Sequence, residues 1–208
     1  NVVRYGKAAR NDPALPRAPL MFDPDARWAY GGSLDRVGRL VEITSGQNLD
    51  RYFHDHILGP LEMKDTSFTL TETQHARRAS LHLRKADGTL APQPLVKRNA
   101  PKVFSGGGGV YSTAPDYLNL LQALLNGGGA GGKSILRPQT VALMSTNQIG
   151  NLDAGILTAT DPALSGDVDF FPGVRLRWGL GDMINIDSVP DGRRAGSQTW
   201  AGLYNTYY

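Results

Sequence analysis

DARWAYGGSLDRVGRLVEITSGQNLDRYFHDHILGPLEMKDTSF, residues 25–68, sets a tyrosine and two glycines immediately before a pair of helices. Leu34, Val37, Leu40 and Val41 recur at helical spacing, Ser33 is placed to cap the first turn, and Asp35 lies near the positive end of the dipole. Gly46 supplies the left-handed residue that stops this helix. A second helix follows at once, with Asn48 as its cap, Leu49, Tyr52, Phe53 and Ile57 as its apolar stripe, and Gly59-Pro60 as its terminator. Tyr30 thus sits at the mouth of a helical pair, and Gly31 and Gly32 remove side chains that would crowd its hydroxyl. Two readings fit these residues: an amphipathic packing tyrosine, or a proton-transfer group held against a nucleophile. The second requires a nearby cation, because an ordinary phenol, with a pKa of about 10, is a poor base at neutral pH.

Outward from this segment the pattern is mixed helix and strand. Ser80–Leu83 and Lys85–Leu90 read as a β-hairpin turned by Asp87-Gly88. Thr113 caps a strong helix with Pro115 and Asp116 in its first turn, Tyr117, Leu120, Leu121 and Leu124 on its buried face, and Gly127 at its end. Val174–Asp187 and Ser197–Tyr208 read as strands that pair antiparallel across the turn-rich VPDGRRAG. The expected fold class is α/β of the α+β kind, divided into a mainly helical lobe at 1–172, carrying the hairpin near 80–92, and antiparallel strands at 173–208.

Composition excludes several functions. The chain has 208 residues, 40% of them hydrophobic, enough for one sizeable globular unit. Its net charge is +3, from 22 basic and 19 acidic residues, and the basic residues are scattered, so no nucleic-acid partner is expected. No apolar run reaches the roughly 18 residues of a membrane span. The absence of cysteine excludes disulfides and thiolate metal sites but leaves the compartment open; the cytoplasm is the expectation, with the periplasm the alternative if a leader precedes Asn1. His54 and His56 are two apart on a helix and face different ways, and His75 and His82 lack a carboxylate at ligand spacing. Neither a metal nor an organic cofactor is therefore expected. Gly127–Ser134, GGGAGGKS, matches a phosphate-binding loop pattern, yet it follows a helix instead of a strand and Pro138 restricts any helix opening there, so it reads as a flexible linker.

The blocks FDPDARWAYGGSLDRVGRLVEITSGQ, ILGPLEMKDTSF, SGGGGVYSTAPDYLNLLQALLNGG, SILRPQTVALM, GLG and TWAGLYNTYY occur in the order of a known superfamily. The chain resembles the serine β-lactamases and penicillin-binding proteins, most closely the class C β-lactamase-like carboxylesterases of family VIII. The resemblance implies a β-lactamase/transpeptidase-like fold, with an antiparallel sheet, flanking helices and a mainly helical lobe. In that family a Ser-x-x-Lys motif supplies the nucleophile and a lysine one turn later, and a tyrosine assists proton transfer. Tyr30 matches the tyrosine. Gly31 and Gly32 stand where many relatives carry polar residues. Trp200-Ala201-Gly202-Leu203 stands where β-lactamases carry Lys-Thr-Gly and the esterase branch tends to carry Trp-Gly-Gly. An indole offers apolar surface and one donor where a lysine would offer a fixed charge for a substrate carboxylate, which favours esters over β-lactams.

The resemblance further implies that the Leu203 backbone N–H and the nucleophile's own N–H stabilise the oxyanion, with Trp200, Ala201, Gly202, Gly32 and Gly108 lining the substrate site. TWAGLYNTYY can equally be read as a core strand, and SGGGGVYS as a turn before the helix at Thr113. No Ser-x-x-Lys and no Gly-x-Ser-x-Gly occurs in the chain. The nucleophile is therefore expected on a segment outside it, the chain being a fragment that lacks that segment and the final C-terminal elements. The expected activity is a carboxylesterase working through an acyl-enzyme on a small-molecule ester. A β-lactamase or D-amino peptidase, kept open by Arg193 and Arg194, and a non-catalytic scaffold are the alternatives.

Overall fold

The computed structural model describes residues 22–85, 87–96, 99–159, 166–202 and 206–208. The chain separates into two compact units, one formed by Asn1–Asp35 with Leu136–Tyr208 and the other by Arg36–Ile135. This division differs from the expected break at 172/173. Trp28, ahead of Arg36, packs with Trp178 and Trp200 on the core of Ala154, Leu176 and Met183.

In the Arg36–Ile135 unit, α1 (Ser33–Ser45) enters from the unit boundary. Ser33 is its first residue, not its cap, and the Asp35 N–H donates to the Gly32 carbonyl at 3.2 Å. Of the expected stripe, Leu34 and Val41 are half-buried and Val37 and Leu40 are exposed. Val37, Leu40 and Ile43 are 50%, 59% and 63% exposed, and the buried residue of the helix is Gly38. A Cβ at Gly38 would lie 2.9 Å from Gly106 Cα, so this glycine lets the helix and the glycine-rich loop meet backbone to backbone, a contact invisible to apolar periodicity. Gly46, at φ 70°, ends α1 with its N–H on the Glu42 carbonyl at 3.0 Å.

Asn48 caps α2 (Leu49–Phe53), its Oδ1 accepting the Arg51 N–H at 2.8 Å. α2 widens into a π-helical turn, His54–Leu58, closed by the Gly59 N–H on the His54 carbonyl at 2.9 Å. That turn delivers Leu58 to a core with Leu61, Met63 and Ala123. A short helix, α3 (Glu72–Ala76), carries a capping box between Thr71 and Gln74. β1 (Leu81–Arg84) and β2 (Leu90–Gln93) form the expected hairpin, with Asp87 Oδ1 accepting the Thr89 N–H and Gly88 at φ 83°.

α4 (Ala114–Leu125) begins at Thr113, whose hydroxyl accepts the Asp116 N–H at 3.3 Å. Asp116 in turn accepts the Asp65 N–H and the Thr66 hydroxyl, each at 2.8 Å, and Asn119 donates to the Leu61 carbonyl at 3.1 Å. Two polar contacts thus lock the KDTS turn to this helix, and a third holds the preceding Leu61 to it. Gly127–Ser134 is a correction to the linker expectation: β3 (Gly129–Ala130) and β4 (Lys133–Ser134) pair across Gly131 and Gly132, both at positive φ, as a tight two-residue hairpin demands.

The other unit holds α5 (Pro138–Met144), which proline opens at its first position, and the pair β5 (Ile156–Leu157) with β6 (Val168–Asp169). β7 (Leu176–Trp178), β8 (Met183–Asn185) and β9 (Gln198–Thr199) form an antiparallel sheet in that order, and β10 (Ala201–Gly202) pairs with β11 (Thr206–Tyr207). All pairings among the described residues are antiparallel, so the fold is α+β as expected. The core is Ala154, Leu176 and Met183 under a layer of aromatic rings. On the same hairpin, the Asp182 carboxylate and both amide atoms of Asn185 are buried, with Asp182 Oδ1 and the Asn185 amide unpaired among the described residues. Burial pushes the Asp182 carboxyl up to about 6.

Candidate active site

Trp28 and Tyr30 stand two residues apart in a run without regular secondary structure, their ring centroids 6.5 Å apart. Those rings meet two more from the sheet. Trp178 ends β7 opposite Met183, Met183 pairs with Thr199 on the far side, and Trp200 follows. This register sets Trp178 and Trp200 edge to face with centroids 4.5 Å apart. Tyr30 lies 4.7 Å from Trp200 and 6.3 Å from Trp178, and Trp28 lies 5.0 Å from Trp178. All three tryptophans of the chain therefore surround the one tyrosine singled out by its glycines. Such ring pairs contribute roughly 0.5–1.5 kcal/mol each beyond the area they bury.

Tyr30 is 36% exposed, so its phenol is supported on one side and open on the other. Among the described residues no hydrogen bond reaches its hydroxyl, which leaves that oxygen available to a ligand or a neighbouring group. A cavity of about 170 Å³ opens beside it, lined by Trp28, Ala29, Tyr30, Gly31, Ser33, Leu34 and Trp178. No charged side chain lines it. Gly31 and Gly32 form the joint between the aromatic segment and α1.

The other expected site residues fall in three groups. Trp200 and Ala201 are half-buried on the strand that carries β9 and β10, and Trp200 touches Tyr30 directly. Gly202 is exposed on β10, paired with Thr206, whose hydroxyl is the side-chain atom facing it. Leu203 lies outside the described residues. Gly108 belongs to the other unit, in an exposed loop with open space around its Cα, and its neighbour Gly106 is the residue pressed against Gly38. Arg193, expected as a candidate for substrate charge, donates to the Gln198 carbonyl at 2.7 Å and lies over the Phe171 ring, so it fastens the VPDGRRAG turn to its own sheet.

Trp28 and Trp178 were missed by the sequence reading. The alternation of Trp28 and Tyr30 in RWAYGG carried a signal for the first. No local signal marks Trp178, which looks like an ordinary strand residue until the sheet register brings it to Trp200.

The sheet, the helical unit and the tyrosine beside a Trp-Ala-Gly strand define a β-lactamase/transpeptidase-like fold. The chain belongs to the Beta-lactamase family, whose model matches residues 5–208. Acyltransferase mokF of Monascus pilosus is 34% identical over 202 residues, covering 88% of this chain and 46% of that protein. The lovastatin esterase of Penicillium rubens is 25% identical, covering 88% of this chain and 47% of its own length. The unliganded selenomethionyl simvastatin synthase (LovD) of Aspergillus terreus superposes with a TM-score of 0.71 at 32% identity, over 89% of this chain and 47% of that one. The chain thus spans about half the length of the curated relatives it matches, and those relatives include both acyltransferases and an esterase.

Proposed function

We propose that the full-length protein is a serine acyl-transfer enzyme, a carboxylesterase acting on short-chain esters through an acyl-enzyme, whose Ser-x-x-Lys segment lies outside these 208 residues. The observation that carries this reading is Tyr30, braced at 4.7 Å by Trp200, open to solvent and bordering a small uncharged cavity. Family membership and the acyltransferase and esterase relatives support it.

In this mechanism the serine oxygen attacks the ester carbonyl, and the serine proton passes to the lysine and Tyr30 pair. The carbonyl oxygen, now negative, is held by backbone N–H donors, the serine's own among them. Collapse of the tetrahedral intermediate breaks the bond to the alcohol, which takes the proton from Tyr30 as it leaves. Water then repeats the sequence on the acyl-serine and releases the carboxylic acid. The cradle of rings fixes the tyrosine's position while keeping its oxygen free.

Tyr30→Phe in the full-length protein is expected to lower kcat for a nitrophenyl ester by about 100-fold or more, the usual scale for a lost acid–base group. An unchanged kcat removes Tyr30 from the chemistry. A second reading, transfer of the acyl group to an alcohol instead of water, is favoured by the relatives named as acyltransferases. Adding a non-ionic alcohol acceptor separates the two: transfer yields a new ester at the expense of free acid, and a hydrolase yields acid alone.

A further inference from the structure

The basic residues are spread unevenly along the chain. From Arg77 to Lys102 there are seven of them against one acid, Asp87, a net +6 in a chain whose total is +3. Arg77 pairs with Asp65. The guanidinium of Arg78 donates to the Val96 carbonyl at 3.0 Å and that of Arg84 to the Gly88 carbonyl at 3.1 Å, contacts that leave both charges unbalanced. Lys85 and Lys102 are exposed and pair with no carboxylate among the described residues. The Asp87 carboxylate is committed to its own turn, where it accepts the Thr89 N–H at 2.9 Å and the Thr89 hydroxyl at 2.7 Å.

The hairpin that carries these cations also exposes apolar side chains. In the β1–β2 register Leu83 stands opposite Ala91 and Leu90 opposite Arg84, so the two leucines lie on opposite faces. The root of the hairpin is half-buried at Leu81, Ala91 and Gln93. Towards the turn Leu83 and Leu90 are 56% and 57% exposed, and Leu95 and Val96 continue the exposed apolar run beyond β2.

We infer that the β1–β2 hairpin is a membrane-contact element, which sets Arg84 and Lys85 against an anionic bilayer surface and sinks Leu83 and Leu90 into its interface. A protein partner would meet one face of the hairpin and leave the leucine of the other face in water. A bilayer interface surrounds an inserted turn on both faces, and its anionic headgroups attract the cations. Nucleic acid fits less well, because no aromatic ring lies between Arg77 and Lys102 for a base to stack on. A cover from the rest of the polypeptide would have to bring carboxylates of its own, since burying unpaired cations is costly. The contact is peripheral, as no helix among the described residues is long and apolar enough to cross a membrane. It is independent of the acyl-transfer chemistry proposed above.

The test is co-sedimentation of the full-length protein with vesicles of phosphatidylcholine alone and of phosphatidylcholine mixed with phosphatidylserine, at low and at high salt. Wild type is expected to pellet with the anionic vesicles, to stay in solution with the neutral ones, and to lose binding as salt screens the headgroups. Arg84→Glu combined with Lys85→Glu is expected to weaken the partition by about 25-fold or more, since each cation near such a surface contributes roughly 5-fold. Leu83→Ser combined with Leu90→Ser is expected to weaken it by about 10-fold or more at unchanged charge, because the methylenes that enter the interface are lost. All four side chains are exposed, so both double variants are expected to keep the wild-type unfolding midpoint. No binding of wild type to anionic vesicles, or binding that both double variants leave unchanged, overturns the assignment. Loss on charge reversal with no effect of the leucine pair also overturns it, and gives the surface to an acidic protein instead.

Discussion

The two compact units are built on opposite plans. The Arg36–Ile135 unit closes around aliphatic residues, with Leu61 and Met63 each 4% exposed and Ala123 fully buried, and its helices are stopped and started by residues adjacent in sequence. The other unit gathers Trp28, Tyr30, Trp178 and Trp200 from distant parts of the chain and leaves them half-open around a cavity. A closed aliphatic core maximises burial and admits no ligand. An open aromatic cluster gives up some burial but retains stiff surfaces, because large flat rings brace one another through few rotatable bonds. On the proposed function, support and chemistry are separable here, and substitutions in the two units should have different signatures.

The largest effect expected on stability is in the aliphatic unit. Leu61→Ala should lower the unfolding free energy by about 2–5 kcal/mol in urea denaturation, the range for emptying a tight core position, while the ratio of ester rates across acyl lengths stays as in wild type. A changed ratio would mean that the two units are not separable in function.

Next in size is Asp182, in the aromatic unit. Its folded carboxyl titrates near 6, above the ordinary 3.8, so the folded protein holds the proton more tightly than the unfolded chain. Its contribution therefore favours folding at low pH, declines as pH rises from about 4 to about 6, and is a constant penalty above that. The full shift corresponds to at most about 3 kcal/mol. Asp182→Asn should raise stability at pH 7.5 by about 1–3 kcal/mol and flatten the pH dependence between 4 and 6, measured by urea denaturation at each pH. A destabilised variant with an unaltered profile would show that the carboxylate is paired after all.

The smallest is the α4 cap. Thr113→Ala should cost about 1 kcal/mol, since one orphan N–H loses its acceptor, and should leave acyl preference unchanged. Loss well beyond that would indicate that the cap also holds Asp116 in place over the KDTS turn.

Legibility followed the same divide. The caps at Asn48 and Thr113, the stops at Gly46 and Gly59, and the Asp87-Gly88 hairpin were readable because each depends on a hydrogen bond or a φ angle within a few residues. The α1 stripe is legible only in part, half-buried at Leu34 and Val41, whereas the buried Gly38 draws its contact from Gly106 and a glycine carries no apolar signal. GGGAGGKS has the composition of a linker, yet Gly131 and Gly132, both at positive φ, make it a hairpin. Glycine runs are ambiguous in this way, because the residue that permits flexibility also permits the tightest turns.

By itself the sequence determined the α+β class, the caps at Asn48 and Thr113 and the family, all of which follow from local hydrogen bonding or from ordered blocks along the chain. Tertiary structure alone decided that Trp28 and Trp178 join Tyr30 and Trp200, and that a small uncharged cavity lies beside the phenol. The physical reason is register: a strand residue's neighbours are set by which strands pair and with what offset, and no residue near Trp178 in the chain encodes that offset.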